Sequence, residues 1–227
     1  MSLAILEHVD LGARNTLRLP CQARYWAAPA SEAELEQVLT DPLLAQWPLV
    51  ILGGGSNVLL PPRLDALVVQ PALRGIQLLS QEGTQCVVEV MAGEPWPALV
   101  AYTLAQGWYG LENLSLIPGT AGAAPVQNIS AYGLEVAERL EAVHAWSVPE
   151  QRWHWLTPAP CRFGYRDSRF KQEAGQWVIS RVRLRLSTEP DLRLGYGDVR
   201  REAGAQPTPQ SVAEAVIRIR RSKLPDP

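Results

Sequence analysis

An α+β fold is predicted by three observations. Strand candidates follow one another without helices between them in "RLEAVHAWSV", "QRWHWL" and "QWVISRVRLRL". Helical spacing is confined to three separated segments, which breaks any regular strand–helix alternation. With 47% hydrophobic and 19% charged residues, the 227-residue chain has the material for a substantial core.

The elements follow in order. In "SEAELEQVL", Ser31 is a candidate N-cap and Glu34, three residues on, completes a capping box. Leu35, Val38 and Leu39 then form an apolar stripe, so the segment is a helix. "PLVILGG" reads as a buried strand and "DALVVQP" as another, giving helix, strand, glycine turn, strand. The texture changes near residue 72, which divides the chain into segments 1–71 and 72–224. "TQCVVEVMAG" is a strand ending in glycine. "EPWPALVAYTLAQG" is a helix with Pro97 suited to its first turn and Gly107 to its stop; Leu99, Val100, Thr103 and Leu104 share one face. A long stretch rich in Gly, Ala, Pro and Asn runs from Gly110 to Gly133. In "RVRLRL" the arginines alternate with apolar residues, as on the solvated face of a strand. "TPQSVAEAVIRIRRSKLPDP" closes the chain as a helix with a proline stop, its cations gathered where the helix dipole favours them.

Composition excludes several functions. A net charge of −2 gives no electrostatic case for nucleic acid or a membrane surface as partner. Cys21, Cys86 and Cys161 are odd in number and widely spaced, and His8, His144 and His154 lack ligand spacing. No disulfide framework or metal site is expected. "MSLAILEHVD" is no secretory signal and no apolar run reaches membrane-spanning length. The expected location is cytoplasmic.

"LVILGGGSNVLLPP" raises a dinucleotide-binding reading and then defeats it. The third fingerprint glycine is replaced by Val58, Pro61 and Pro62 block the helix that must follow, and no acidic residue stands about 20 positions on. Two readings of Gly53, Gly54, Gly55, Ser56 and Asn57 stay open: a tight turn between strands, or a nest of backbone amides for an anion. "GLENLSLIPGTAGAAPVQNISAYG" is more specific. Its small residues let a ligand lie directly on the backbone, and Gln127 and Asn128 offer amide donors and acceptors. Such a lining suits a planar cofactor and its pyrophosphate.

Taken with "CRFGYRDSRFK" and "RRSKLPDP", these blocks resemble, in order and spacing from about Asn15 to Pro227, the UDP-N-acetylenolpyruvoylglucosamine reductases of peptidoglycan synthesis. The resemblance implies an FAD-binding α+β module of the vanillyl-alcohol-oxidase/PCMH type. Its two subdomains, 1–71 and 72–224, would sandwich the flavin. It also implies NADPH as hydride donor and UDP-N-acetylglucosamine enolpyruvate as substrate, reduced to UDP-N-acetylmuramate by a monomeric enzyme. Gly53 to Asn57 would hold the FAD pyrophosphate. Gly119, Thr120, Gly122, Ala123, Ala124 and Asn128 would line the flavin and its phosphates; Ala123 and Ala124 stand where some relatives carry serine.

By composition "CRFGYRDSRFK" is a basic loop around Asp167. By resemblance it is the chemical block, with Tyr165 and Arg166 against the substrate. Arg166 is the expected catalytic residue, since a guanidinium fork holds a carboxylate and offsets the charge of an enol intermediate. Tyr196 would stand at the substrate mouth and Lys223 near the substrate diphosphate, although Lys223 equally suits a helix terminus. In the family "KLPDP" is followed by a "GNAGSFFKNP"-like segment whose serine protonates substrate, then by a later glutamate and a substrate domain. The present chain stops at Pro227. The expectation for these residues alone is therefore FAD binding with negligible reductase activity, either as part of a longer reductase or as a flavin-holding module. A soluble α+β protein without flavin is the third alternative.

Overall fold

The computed structural model describes residues 3–224. The first part holds β1 (Ile5–Asp10), β2 (Gln22–Ala27), α1 (Glu32–Thr40), β3 (Leu49–Ile51) and β4 (Arg63–Val69). The second holds β5 (Ile76–Glu82), β6 (Gln85–Met91), α2 (Trp96–Ala105), the short pair β7 (Ser130–Ala131) and β8 (Leu134–Glu135), β9 (Leu140–Ser147) and β10 (Arg152–Leu156). It continues through the short helices α3 (Pro158–Cys161) and α4 (Arg169–Gln172), then β11 (Trp177–Ser187), α5 (Val199–Ala203) and α6 (Pro209–Lys223).

Two sheets result. The first has the order β1-β2-β4-β3, with β2, β4 and β3 parallel and β1 antiparallel on the edge. The second, β10-β9-β11-β6-β5, is antiparallel throughout. The local signals act as their chemistry dictates. Ser31 Oγ accepts the Glu34 amide at 3.2 Å, but the Glu34 carboxylate reaches back to the Ala30 amide rather than to that of Ser31. Pro97 sits in the first turn of α2, and Gly107 takes φ +72° just past its end. In α6, Thr208 and Ser211 form a capping box; Pro225, the expected stop after it, lies outside the described residues, as do Met1 and Ser2. Strands β1, β2 and β5 carry no clear period in the sequence. Among the described residues no helix is long and apolar enough to cross a membrane.

The sheets are joined by a shared core. Leu35, Val38 and Leu39 of α1 and Leu67 and Val69 of β4 cluster with Trp146 of β9 and Val178 of β11. The two sheets thus bury large side chains against one another. The arginine face of β11 is not simply solvated, as the alternation suggested. Arg181 pairs with Glu32 at 2.7 Å and with Glu89 at 2.9 Å, and Arg183 pairs with Glu89 at 3.0 Å. Arg185, by contrast, is exposed.

Glu32, on the first half, is the hub of this seam. Ser180 Oγ donates to Glu32 Oε1 at 2.6 Å, and His144 Nδ1 meets the same oxygen at 2.8 Å. The His144 ring stacks between Trp153 and Trp155. Burial pushes the His144 imidazole below its ordinary value of 6.5, outweighing the opposing pull of Glu32. Burial would raise Glu32, yet its hydrogen bonds from Ser180 and Arg181 hold it below its ordinary 4.5. The sign is the same for both groups. The stability that neutral His144 contributes is complete above pH 6.5 and is lost as pH falls through its folded value. That of ionised Glu32 is lost further down, below pH 4.5. The expected result is a melting temperature that drops between pH 7 and 5 in the parent and drops less in His144→Gln, read by circular dichroism; parallel curves would show that His144 does not set the slope.

Candidate functional site

A cavity of about 410 Å³ opens between the two halves. One wall is the glycine loop that leaves β3: Gly53, Gly54, Gly55, Ser56, Asn57 and Val58. The facing wall is Pro118, Gly119, Thr120, Gly122, Ala123 and Ala124. The loops approach so closely that side chains have no room. A Cβ on Gly54 would lie 2.8 Å from the Gly119 Cα, and one on Gly53 would lie 2.8 Å from the Ala123 Cβ. Gly122 is equally constrained, its Cβ position being 2.5 Å from that of Ala92 at the end of β6. Asn57 Nδ2 donates to Gln127 Oε1 and so ties the two walls together.

The backbone of the loop is primed for an acceptor. The Leu52 amide still pairs with the Val69 carbonyl at 2.9 Å, but the amides of Gly53 through Val58 make no hydrogen bond to any described residue. Successive unpaired amides lining a cavity form a nest for an anion, since backbone donors are otherwise almost always satisfied. Deeper in, Leu49, Ile51, Trp96, Ile129, Phe170, Trp177 and Ile179 provide an apolar lining. Trp96 is fixed there because its indole Nε1 donates to the Leu114 carbonyl at 2.9 Å. Amide donors at one part and flat apolar walls at another fit a planar heterocycle carrying a diphosphate.

Asn128, expected among these contacts, is not in the lining. Its fully buried side chain donates to Glu135 Oε2 at 2.7 Å and to the Gly164 carbonyl at 3.0 Å, and accepts the Ala137 amide at 3.1 Å. It organises the loops behind the wall instead. Conversely, Lys171, Gly175, Trp177 and Ile179 line the cavity without having been singled out in the sequence. Lys171 ends the "CRFGYRDSRFK" block, and its Nζ donates to the Arg166 carbonyl at 2.8 Å.

That block forms a turn. The Gly164 amide donates to the Asp167 carbonyl at 3.0 Å and the Asp167 amide to the Gly164 carbonyl at 3.1 Å, leaving Tyr165 and Arg166 at the tip. Arg166 takes φ +54°, an unfavourable region for a side-chain-bearing residue. Ser168 Oγ bonds the Val126 carbonyl at 2.6 Å, and Arg166 Nη2 bonds the Ser130 carbonyl at 2.9 Å. Tyr196 sets its ring edge against Tyr132, 6.1 Å between centroids. The turn β7–β8 thus brings Arg166 and Tyr196 to one neighbourhood, while among the described residues no contact ties Tyr165 or Lys223 to it; all four side chains are exposed. Arg220, one turn before Lys223 on α6, belongs with them. It donates to the Leu116 carbonyl at 3.2 Å, and burial pushes its guanidinium below the ordinary value, with Tyr132 opposing and Arg166 adding to the shift. Among the described residues neither Arg166 nor Arg220 has a carboxylate in ion-pair range. A guanidinium without a carboxylate partner favours an anion. Arg220 and Tyr132 lie inside the motifs quoted from the sequence, but nothing in the sequence alone shows that Tyr132 packs against the α6 cluster.

The cradle and its apolar wall define a flavin-binding protein, and the comparisons agree. The FAD binding domain family matches residues 23–154, so the chain belongs to it and carries FAD as its cofactor. The fold is the α+β FAD-binding module of the vanillyl-alcohol-oxidase type. Within that class the chain is a member of the UDP-N-acetylenolpyruvoylglucosamine reductase family. It is 49% identical to the reductase of Chromobacterium violaceum, over 100% of this chain and 68% of that protein. It is 48% identical to that of Psychrobacter arcticus, over 96% of this chain and 62% of that protein. A crystal structure of the Thermus caldophilus reductase shares the fold, with a TM-score of 0.71 at 24% identity, covering 98% of this chain and 71% of that one. The chain thus spans about 62–68% of the length of these curated relatives.

Proposed function

We propose that the chain holds FAD between its two subdomains and serves the NADPH-dependent reduction of UDP-N-acetylglucosamine enolpyruvate to UDP-N-acetylmuramate, as a cytoplasmic monomer in peptidoglycan precursor synthesis. The observation that carries the reading is the cavity walled by the unpaired amides of Gly53 to Val58 on one side and the small residues Gly119 to Ala124 on the other. Bound FAD would pass a hydride from NADPH to the enolpyruvyl ether. The chain's own part is to seat the diphosphate on the glycine amides, to keep water from the ring with Trp96, Trp177 and Ile179, and to place anionic substrate. Arg166 and Arg220 are the pair for the substrate carboxylate, with Arg166 offsetting charge as the enol forms. Tyr165, Tyr196 and Lys223 would bound the rest of the substrate from the exposed side.

Titration of the purified protein with FAD, read by quenching of flavin fluorescence, tests the core of this reading; unchanged fluorescence would overturn it. Anaerobic NADPH and then the enolpyruvyl substrate are added to the bound flavin; these residues alone are expected to restore its absorbance negligibly, and rapid bleaching followed by full restoration would overturn that expectation. Bleaching without restoration would restrict these residues to holding the flavin. Arg166→Lys is expected to weaken the spectral response to substrate about tenfold, because an ammonium lacks the guanidinium fork, while FAD affinity stays within twofold.

A further inference from the structure

The glycine loop is held from behind by residues that do not line the cavity. Gln70, the residue after β4, is anchored by its own amide to the Ala27 carbonyl at 2.9 Å. Its side chain donates from Nε2 to the Gly53 carbonyl at 3.0 Å and accepts from Arg14 Nη1 at 3.3 Å. Arg14 is fixed in turn by lying over the Trp26 ring, 4.1 Å from its centroid. The next residue, Asn15, is nearly inaccessible. It donates to the carbonyls of Leu11 and Leu19 at 2.9 and 3.0 Å, and accepts the Leu19 amide at 2.9 Å. The Thr16 amide then donates to the Gly55 carbonyl at 3.1 Å. Gly55 packs so tightly on this turn that any Cβ there would overlap the Arg14 carbonyl.

In a trans peptide the carbonyl and the following amide point in opposite directions. Tying the carbonyls of Gly53 and Gly55 backwards therefore turns the amides of Gly54 and Ser56 forwards. These ties matter because peptide planes between glycines otherwise rotate at little steric cost. A flipped plane would present an acceptor, in place of a donor, to an anion. We propose that Gln70, backed by the Arg14–Thr16 turn, is a positioning residue that sets the glycine loop for the FAD diphosphate. The inference rests on the FAD reading above and adds to it a part of the molecule outside the cavity.

Two variants separate this role from a merely structural one. Gln70→Leu removes both side-chain hydrogen bonds at similar size; Gln70→Glu keeps an acceptor for Arg14 but cannot donate to the Gly53 carbonyl. Affinities are measured for FAD and for riboflavin, which has the ring but no diphosphate, with circular dichroism and melting as controls. Both variants are expected to raise the FAD Kd about tenfold, as when a competent conformation becomes a minor population, and to leave riboflavin within twofold. Equal losses for the two ligands, or no loss for FAD, would overturn the proposal. A ligand-free readout stands beside it. Exchange of the Thr16 amide, which reports the position of the Gly55 carbonyl, should accelerate about fivefold in either variant. Unchanged exchange refutes the positioning role even if the parent protein fails to bind FAD, an outcome that would refute only the FAD reading.

Discussion

Gly54→Val should reduce FAD affinity at least about a hundredfold, or roughly 2.7 kcal/mol, while leaving the fold intact. The space it would fill is taken by backbone, 2.8 Å away at the Gly119 Cα, so neither wall yields by turning a side chain. The loops must separate, and the diphosphate then loses contact with one of them. Gly54 is not among the residues with positive φ, so valine meets no backbone strain of its own. That distinguishes it from Gly55, where φ is +68° and any substitution is strained before ligand is considered. Flavin-fluorescence titration measures the affinity and circular dichroism the fold. Binding within threefold of the parent would mean that the diphosphate does not sit where these loops meet.

The largest effect on stability is expected at Asn128. Asn128→Ala should cost about 3 kcal/mol in urea unfolding, the sum of three hydrogen bonds lost from a fully buried side chain and of a non-glycine, non-asparagine residue at positive φ. The Ala137 amide loses its partner, the Gly164 carbonyl keeps only the Asp167 amide, and φ at this position is +42°. Because Gly164 opens the turn bearing Arg166, the same variant should also loosen that turn. Asn128→Asp should be nearly as damaging, since it keeps the acceptor but sets a second carboxylate against Glu135, 2.7 Å from the present amide nitrogen. A loss under 1 kcal/mol would contradict the hydrogen-bond assignment.

Asn128 also marks where sequence reasoning ends. The glycines were legible because their reason is local: three in succession between apolar runs, with prolines behind, leave few conformations. The small residues from Pro118 to Ala124 were legible for the same reason. An asparagine four residues beyond the last cavity alanine, at the end of "PVQN", reads equally well as a ligand contact, and only the fold shows its three bonds to Glu135, Gly164 and Ala137. Contacts distant along the chain were not legible at all. Trp177 and Ile179 read as ordinary strand residues, and nothing in "QWVIS" says that one face of β11 looks into the cavity. Arg220 reads as one more cation at a helix end until α6 is packed beside Leu116. Edge strands β1 and β5 escaped because most of their residues face water, which erases the alternation that identifies a half-buried strand.

On the proposed reading the glycine amides and the apolar wall are separate handles on a single ligand, with a consequence for how that ligand is chosen. A diphosphate seated on the loop carries its attached ring to the wall at an effective concentration set by a short tether, in the millimolar range. The ring therefore needs little affinity of its own, and the wall is free to be judged by what it does to the ring's reactivity. The reverse also holds: the amides recognise an oxyanion without regard to what is esterified to it. Inorganic pyrophosphate and nucleoside diphosphates thus compete for the first handle but gain nothing from the second. On that reading, selection of flavin over the other phosphate esters would come from satisfying both at once.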